Sequence, residues 1–275
     1  MTALAITRPV SASIGRCELS FSARVPIDLE RARAQHAVYE STLRQLGCRV
    51  ESLPAADELP DAVFVEDTAV ILDELAVITR PGAASRRAET NAVADRLSTV
   101  RPLARIEGPA TLDGGDVLRA HRTLLVGIGT RTTRSGAAAL ARLVEPLGYS
   151  VVTVNVTGCL HLKSAVSWLG EDRLLLDPER VDPRPLDGFR LISVAPDESP
   201  AANALWVADT AVIAAGYPRT LECVETLGLP CLAVDNSELA KAEGGLTCCS
   251  LIVESSEPAI RAKRDVPKGR SKDDS

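Results

Sequence analysis

Several features that would assign this 275-residue chain to a protein class are missing from it. No apolar run is long enough to span a bilayer, and the opening "MTALAITRPVSASIG" lacks the charged start and long apolar centre of a signal peptide. The net charge is −6 and the basic residues are scattered, which disfavours nucleic-acid binding. We therefore expect a cytoplasmic protein that binds neither membranes nor nucleic acids.

The usual signatures of cofactors and metals are also missing. No GK[ST] follows "LDGGD" and no GxGxxG pattern is complete, so we expect no nucleotide. The seven cysteines are an odd number without CxxC spacing, which argues against a disulfide framework. Cys248, Cys249, His161 and an acid could ligate zinc by residue type, but no local pair has the spacing of metal ligands. We expect no metal and no cofactor.

The chain does contain a loosely repeated unit of two strands, a helix and a third strand. Four copies cover residues 61–107, 112–156, 159–194 and 201–235, and the prolines of "VDPRPLDG" shorten the helix of the third copy. A fifth copy is split, with one strand in "GGLTCCSLIVE" and the remainder within residues 3–53. Repeats of this length with their own small sheets stack radially and close into a ring. We predict a five-bladed α/β propeller over residues 1–255 as one catalytic domain, and a disordered polar tail at 256–275.

In such a ring, the turns that open the units converge near one axis. The polar residues in these turns are Asp61, Glu66, Asp67, Asp113, Asp116, His161, Ser164, Asn203 and Cys248. The other histidines, His36 and His121, are interpreted as surface residues. Carboxylates, an imidazole and a thiol are therefore expected to meet in one pocket.

A thiol and an imidazole in one pocket form the pair needed for nucleophilic catalysis by a thiolate. We place Cys248 and Cys249 on a buried strand, where neighbouring residues face opposite sides, so that only one thiol faces the pocket. A papain-type hydrolase is the formal alternative, but the "CGSCW" neighbourhood is missing and the many carboxylates would repel a peptide oxyanion. The acids indicate a cationic substrate.

Five motifs resemble those of the dimethylarginine dimethylaminohydrolases, a family of guanidine-modifying enzymes. They are "LPDAVFVEDTAVI", "ITRPGAASRR", "TLDGGDVL", "GCLHLKS" and "GGLTCCSLIV". The resemblance runs from about Leu19 to Val253, in the order of the family, and implies the five-bladed propeller. It implies that Cys248 is the nucleophile, His161 the general acid and base, and Asp113 a ligand of the guanidinium and partner of His161. Cys249 then packs toward the core.

The resemblance also implies a set of substrate-binding residues. Glu66 and Asp67 hold the substrate, Asp61 makes a further contact upstream, and Arg86 and Arg131 receive the α-carboxylate. Leu19 lies on a lid loop over the ligand, and Ser164 supplies a hydroxyl near His161. Ala242 and Glu243 line the site, at positions where the family uses backbone carbonyls and an acid. Glu243 departs from the Asp that is common in the family.

The implied reaction is hydrolysis of asymmetric dimethylarginine or monomethylarginine to citrulline and an amine, through a covalent thiouronium on the cysteine. Two alternatives stay open: the same chemistry on another guanidine such as arginine, or a non-catalytic guanidine-binding protein. Arg86 and Arg131 argue against agmatine, which has no carboxylate, and the presence of both Cys248 and His161 argues against a silent binder. The expected partner is a small molecule, and the chain is expected to be a monomer or a homodimer.

Overall fold

Five three-stranded sheets organise the protein, whose computed structural model describes residues 3–254. In each sheet a short first strand pairs antiparallel with the middle strand, and the middle strand pairs parallel with the third. In the order first, middle and third strand, the sheets are β3 (Ala69–Ile71), β4 (Ala76–Ile78) and β5 (Leu103–Arg105); β6 (Val117–Ala120), β7 (Thr123–Ile128) and β8 (Ser150–Asn155); β9 (Val166–Trp168), β10 (Arg173–Leu176) and β11 (Arg190–Ser193); β12 (Leu205–Val207), β13 (Thr210–Ala214) and β14 (Cys231–Val234); and β15 (Leu251–Val253), β1 (Leu4–Thr7) and β2 (Arg49–Ser52). The predicted tail at 256–275 lies outside the described residues.

A helical segment joins the middle strand to the third strand in every sheet, as a parallel connection requires. These segments are α1 (Leu29–Gln45) before β2, α2 (Thr90–Leu97) before β5, α3 (Arg134–Val144) before β8, a 3₁₀ turn (Arg184–Leu186) before β11 and α4 (Pro218–Thr226) before β14. A short helix, α5 (Ser237–Ala240), follows β14. Proline limits the connection in the third unit to a single turn, as predicted.

Local sequence signals set the ends of the longer helices. The Asp28 side chain accepts a hydrogen bond from the backbone N–H of Arg31 at 3.1 Å and so caps the start of α1. The same helix stops before Gly47, whose φ of 85° lies in the left-handed region that glycine adopts without strain. Thr133 caps α3 by accepting the N–H of Gly136 at 3.1 Å. These caps satisfy backbone groups that the helices leave unpaired.

The sheets are arranged around one axis. The first strands of neighbouring sheets contact each other, for example β15 with β3 and β6 with β9. All five first strands line a single cavity of about 330 Å³. Antiparallel pairing of β1 with β15 closes the ring, with Leu4 opposite Val253 and Ile6 opposite Leu251. The predicted five-bladed α/β propeller and its split fifth unit are confirmed.

The hydrophobic core, like the set of sheets, has five parts. Five clusters of buried apolar side chains lie between the helices and sheets of the ring. None of the helices within residues 3–254 has the length and apolar content that crossing a bilayer demands.

Candidate active site

Five 3₁₀ turns lie at one end of the axis, each followed, after at most two residues, by the first strand of a sheet. They are Val65–Thr68, Gly114–Asp116, Leu162–Ser164, Ser199–Ala202 and Thr247–Cys249. The first turn contacts the second and the fifth, the second contacts the third, and the third contacts the fourth. Turns that are far apart in the chain therefore meet around the axis.

These turns border a small cavity that contains most of the predicted site residues. Eight of them line it: Asp61, Asp67, Arg86, Arg131, His161, Ala242, Glu243 and Cys248. The space free for solvent measures about 10 Å³, which is room for about one water molecule. A substrate of amino-acid size can therefore reach Cys248 only if part of the wall moves.

Four predicted residues lie outside this cavity wall. Asp113 is fully buried behind His161, and Leu19 is partly buried against the apolar cluster that includes Cys248. Ser164 lines a neighbouring cavity of about 410 Å³. Glu66 lines the 330 Å³ cavity on the other side of the turns. For Glu66 and Ser164, this placement does not favour the direct substrate contact that the sequence predicted.

The imidazole of His161 lies between carboxylates. Its Nε2 donates to Asp113 Oδ2 at 3.1 Å, and its Nδ1 lies 3.6 Å from Asp67 Oδ1. Burial lowers the pKa of this side chain, but Asp67, Asp116 and Asp113 outweigh burial and raise the pKa to about 9. At neutral pH His161 is therefore an imidazolium that can donate a proton.

Cys248 and Cys249 lie in the 3₁₀ turn Thr247–Cys249, because β15 begins only at Leu251. The prediction that both cysteines belong to the strand is wrong. Cys248 lines the cavity, where its Sγ accepts a hydrogen bond from the N–H of Gly245 at 3.3 Å. Cys249 is buried in the same apolar cluster as Cys248 but does not line the cavity. One thiol does face the cavity, but the turn and not strand alternation separates the two.

Burial raises the pKa of the Cys248 thiol well above its usual value, and the negative charges of Glu66 and Asp67 raise it further. The hydrogen bond from Gly245 acts in the opposite direction without reversing the shift. The thiol is therefore protonated at neutral pH unless a positive charge is brought close to it.

The two predicted arginines differ in their contacts. Arg86 is buried, with Nη1 2.5 Å from Asp67 Oδ2 and Nη2 2.8 Å from Glu89 Oε2. It also donates to the backbone carbonyl of Phe64 at 3.0 Å, so most of its donors are occupied. Arg131 Nη1 is buried without a hydrogen-bond partner among the described residues, and Asp113 Oδ2 lies 3.9 Å away. Arg131 thus has a donor free for an anionic group.

A loop over the cavity is held by the carboxylate of Glu243. The Glu243 oxygens accept the backbone N–H groups of Ser20 at 3.1 Å, Phe21 at 2.7 Å and Ser22 at 2.6 Å. Glu243 adopts φ 59°, a left-handed conformation that is uncommon outside glycine. Arg131 Nη2 also donates to Ser20 Oγ at 3.3 Å. Two cavity residues, Glu243 and Arg131, thus hold this loop beside the cavity.

Four residues that were not predicted from the sequence lie at or beneath the cavity. Glu18 and Leu160 line the cavity, while Lys163 and Thr247 contact Glu66 beneath it. Lys163 lies in the motif "HLKS", Thr247 lies in "LTCCS", and Glu18 precedes the predicted lid residue Leu19. Nearness to these motifs could have indicated the residues, but the contacts of Lys163 and Thr247 with Glu66 join different units of the ring.

A metal could in principle use the groups around His161. Within residues 3–254, Asp67, Asp113 and His161 offer ligand atoms that lie within 4.8 Å of one another. A metal needs a deprotonated imidazole nitrogen, whereas these carboxylates stabilise the doubly protonated ring. The carboxylates therefore stabilise a protonated His161 more readily than a bound metal ion.

Comparison with known proteins identifies the family. Residues 7–183 match the family model described as N,N dimethylarginine dimethylhydrolase, eukaryotic. The N(G),N(G)-dimethylarginine dimethylaminohydrolase of Pseudomonas aeruginosa is 36% identical, and the match covers 82% of this chain and 89% of that protein. The chain belongs to the dimethylarginine dimethylaminohydrolase family. Another member, from Streptomyces coelicolor, is 38% identical over 83% of this chain and 88% of its own length.

Solved structures of the family have the same fold. The P. aeruginosa enzyme, as a mutant in complex with citrulline, has a TM-score of 0.85 and 33% identity, and the match covers 92% of this chain and 99% of that one. The N-terminal domain of ArgZ, a cyanobacterial arginine dihydrolase, has a TM-score of 0.83 at 19% identity, with 92% and 98% covered. The ArgZ comparison supports the fold alone.

We expect the pKa of His161 to depend on the close approach of Asp67, which Gly115 permits. A Cβ at Gly115 would lie 2.6 Å from both Asp67 Oδ1 and His161 Nδ1, so Gly115→Ala must separate the two charges. The pKa of His161, measured by NMR titration, should be about 9 in the wild type and lower in Gly115→Ala. Gly129→Ala, where nothing lies within 4 Å, is the control.

The same titration has a consequence for stability. The pKa of His161 is raised from 6.5 in the unfolded chain to about 9 in the folded protein. The imidazolium therefore stabilises the fold fully below pH 6.5, and this contribution is lost as the pH rises toward 9.

An unchanged His161 titration in Gly115→Ala would contradict the assignment of Asp67 as its charge partner.

We expect Glu243→Gln to loosen the loop over the cavity. A neutral amide lacks the negative charge that strengthens these three hydrogen bonds and has only one acceptor oxygen, so it holds the three N–H groups more weakly than the carboxylate does. Hydrogen exchange at the amides of residues 20–22 should become faster. Asp57→Asn is a matched control, because Asp57 also accepts a backbone N–H, that of Ala12 at 2.8 Å, outside this loop. Equal exchange rates in Glu243→Gln and wild type would show that the loop is held by other contacts.

Proposed function

We propose that this protein hydrolyses Nω-methylated arginine to citrulline and methylamine or dimethylamine. The observation that carries the proposal is that Cys248 and His161 line one cavity together with the carboxylates of Asp61 and Asp67. This set combines a nucleophile, a proton donor and acids that attract a guanidinium. The family relatives support the substrate class, since one solved structure of the family holds citrulline and another is an adduct with S-methyl-L-thiocitrulline.

Asp67 is the carboxylate that we assign to the guanidinium. Burial alone would raise its pKa, but the charges of His161 and Arg86 outweigh burial and hold the pKa well below its usual value. An ionised, buried carboxylate pairs with a guanidinium through charge-assisted hydrogen bonds, which fix the plane and position of the reacting carbon. Arg86 then acts by orienting Asp67.

The amino-acid end of the substrate requires an anion for its α-ammonium group and a cation for its α-carboxylate. We assign Asp61, a cavity residue whose pKa is raised by burial, to the α-ammonium group. The Nη1 of Arg131, which has no hydrogen-bond partner within the described residues, supports its assignment to the α-carboxylate. Agmatine has no carboxylate to satisfy Arg131 and is expected to bind more weakly.

The first half of the reaction forms a covalent intermediate. When the cationic substrate binds, the Cys248 thiol releases its proton to solvent, and the thiolate adds to the guanidinium carbon to form a C–S bond and a tetrahedral adduct. The adduct collapses by breaking the C–N bond to the methylated nitrogen, while the His161 imidazolium gives its proton to the departing amine. Neutral amine leaves, and a thiouronium stays on Cys248.

The second half releases citrulline. The now neutral His161 takes a proton from water, and the resulting hydroxide adds to the thiouronium carbon. The C–S bond breaks while the hydroxyl proton of the adduct passes to the departing sulfur, so Cys248 is a thiol again and the neutral ureido group of citrulline remains. His161 is an imidazolium again, as at the start, so one water is consumed and no cofactor is needed.

We also propose that residues 1–255 act as a single catalytic domain. The nucleophile turn precedes β15, whereas the sheet that holds β15 is built on β1 and β2 near the start of the chain. Both ends of this region are therefore needed to place Cys248.

We expect Cys248→Ser to abolish hydrolysis and Cys249→Ser to preserve it, because Cys248 alone of the two lines the cavity. Purified protein is incubated with asymmetric dimethylarginine, monomethylarginine, arginine and agmatine, and citrulline or carbamoyl product is measured. Methylated arginines should react with the highest kcat/KM. Activity lost in Cys249→Ser and kept in Cys248→Ser would reassign the nucleophile.

Other outcomes of this panel decide between the alternatives. A higher kcat/KM for arginine than for methylated arginine would favour a hydrolase of unmodified arginine. Binding of all guanidines without product would favour a guanidine-binding protein. Either result would overturn the proposed function.

We expect a bound guanidinium to lower the pKa of the Cys248 thiol. The thiol pKa is raised by burial and by carboxylates, and a cation beside it stabilises the thiolate. Thiolate absorbance is titrated with propylguanidinium present and absent, with neutral propylurea as the matched control and Cys248→Ser as the blank. A thiol pKa that propylguanidinium leaves unchanged would exclude activation by the substrate.

A further inference from the structure

Asn203 is a buried polar residue that the proposed reaction does not use. It follows the turn Ser199–Ala202 in the fourth unit and is 6% exposed. Its Nδ2 donates to the Lys163 carbonyl at 2.8 Å and to Thr247 Oγ1 at 2.9 Å, and its Oδ1 accepts the Thr247 N–H at 3.1 Å. The one amide side chain thus contacts two other units.

The contacts of Asn203 reach the two turns that hold the reacting groups. Lys163 lies in the turn Leu162–Ser164, which begins directly after His161. Thr247 directly precedes Cys248 in the turn Thr247–Cys249. The amide therefore spans the gap between the turn of the proton donor and the turn of the nucleophile.

A closed ring of polar contacts runs through Asn203. Thr247 Oγ1 donates onward to Glu66 Oε2 at 2.7 Å, and Glu66 Oε1 lies 2.6 Å from Lys163 Nζ. Lys163 returns to Asn203 through its backbone carbonyl. Because a satisfied network in a low-dielectric interior is rigid, the ring fixes the turns relative to each other.

A second contact connects Asn203 to the nucleophile. A Cβ at Gly245 would lie 2.3 Å from Asn203 Cγ, so the amide packs directly on the Gly245 backbone. The N–H of Gly245 donates to Cys248 Sγ at 3.3 Å. The Asn203 amide therefore contacts Thr247, which precedes Cys248, and Gly245, whose N–H donates to the Cys248 sulfur.

We infer that Asn203 is a positioning residue that sets the distance between the Cys248 thiol and the His161 imidazole. It touches neither reacting atom and acts through Lys163, Thr247 and Gly245. The inference rests on the proposed function, because it concerns the two groups that this function uses. Substrate binding through Asp61 and Arg131 does not depend on it.

We expect Asn203→Ala to lower kcat about 100-fold, the loss that a misplacement of about 1 Å causes, with KM close to that of the wild type. Asn203→Asp has the same shape and retains the acceptor for Thr247 N–H but loses both donors, so its kcat should also fall. This second variant decides the question if Asn203→Ala fails to fold. A kcat close to wild type in either folded variant would overturn the inference.

Ser167→Ala is the matched control. Ser167 is 2% exposed; its Oγ donates to the Ala202 carbonyl at 2.6 Å and accepts the Ala204 N–H at 2.8 Å. It therefore ties the residues on both sides of Asn203 to β9 without touching either catalytic turn. Ser167→Ala should lower Tm and leave kcat close to wild type. An equal loss of kcat in Ser167→Ala and Asn203→Ala would show a merely structural role for Asn203.

A measurement without substrate separates this inference from the proposed function. Alkylation of Cys248 by iodoacetamide is followed by mass spectrometry, with exposed Cys223 as the internal reference. Asn203→Ala should slow the alkylation of Cys248 and leave that of Cys223 unchanged, because the Cys248 thiol moves away from the imidazolium that favours its thiolate. This result together with an inactive wild type would refute the proposed function and support the inference. An unchanged ratio of the two alkylation rates would overturn the inference.

Discussion

The antiparallel pairing of β15 with β1 is the interaction on which the site depends. It joins the last described strand to the first and so closes a ring in which five turns face one another. Cys248 precedes β15 by three residues, and it reaches His161 only because that strand is fixed in the ring. The chemistry thus depends on a contact between the two ends of the chain, which local sequence does not contain.

Charge balance is the second constraint, since the interior of the ring is rich in ionised groups. Arg86 lies between Asp67 and Glu89, and His161 lies between Asp67 and Asp113. A buried ion without a partner is costly, so each charge needs a neighbour of opposite sign. The pairs keep Asp67 ionised and His161 protonated, and these are the forms that guanidinium binding and proton donation require.

The sequence predicted the fold well because periodic strands and helices repeat in each unit, and the prolines of "VDPRPLDG" correctly indicated a shortened helix in the third unit. The side-chain contacts were predicted less well. His36, interpreted as a surface residue, is 5% exposed, because the buried face of α1 includes it. Some of these contacts join residues that are far apart in the chain. Examples are the contacts of Glu66 with Lys163 and Thr247, and those of Glu243 with the loop at residues 20–22. A motif shows which residues are near the site, whereas their partners depend on how the ring closes.

The same electrostatics favour binding of the substrate over binding of the product. A methylated guanidinium is a cation, and it is attracted to a cavity lined by Asp61 and Asp67 while it lowers the cost of the Cys248 thiolate. Hydrolysis converts this group to a neutral ureido group, so the attraction at the reacting end is lost and the buried thiol regains its proton. Product binding is then weaker than substrate binding without any change in the protein. A site with a permanently ionised thiol would leave a reactive anion beside the carboxylates of Glu66 and Asp67, which oppose it.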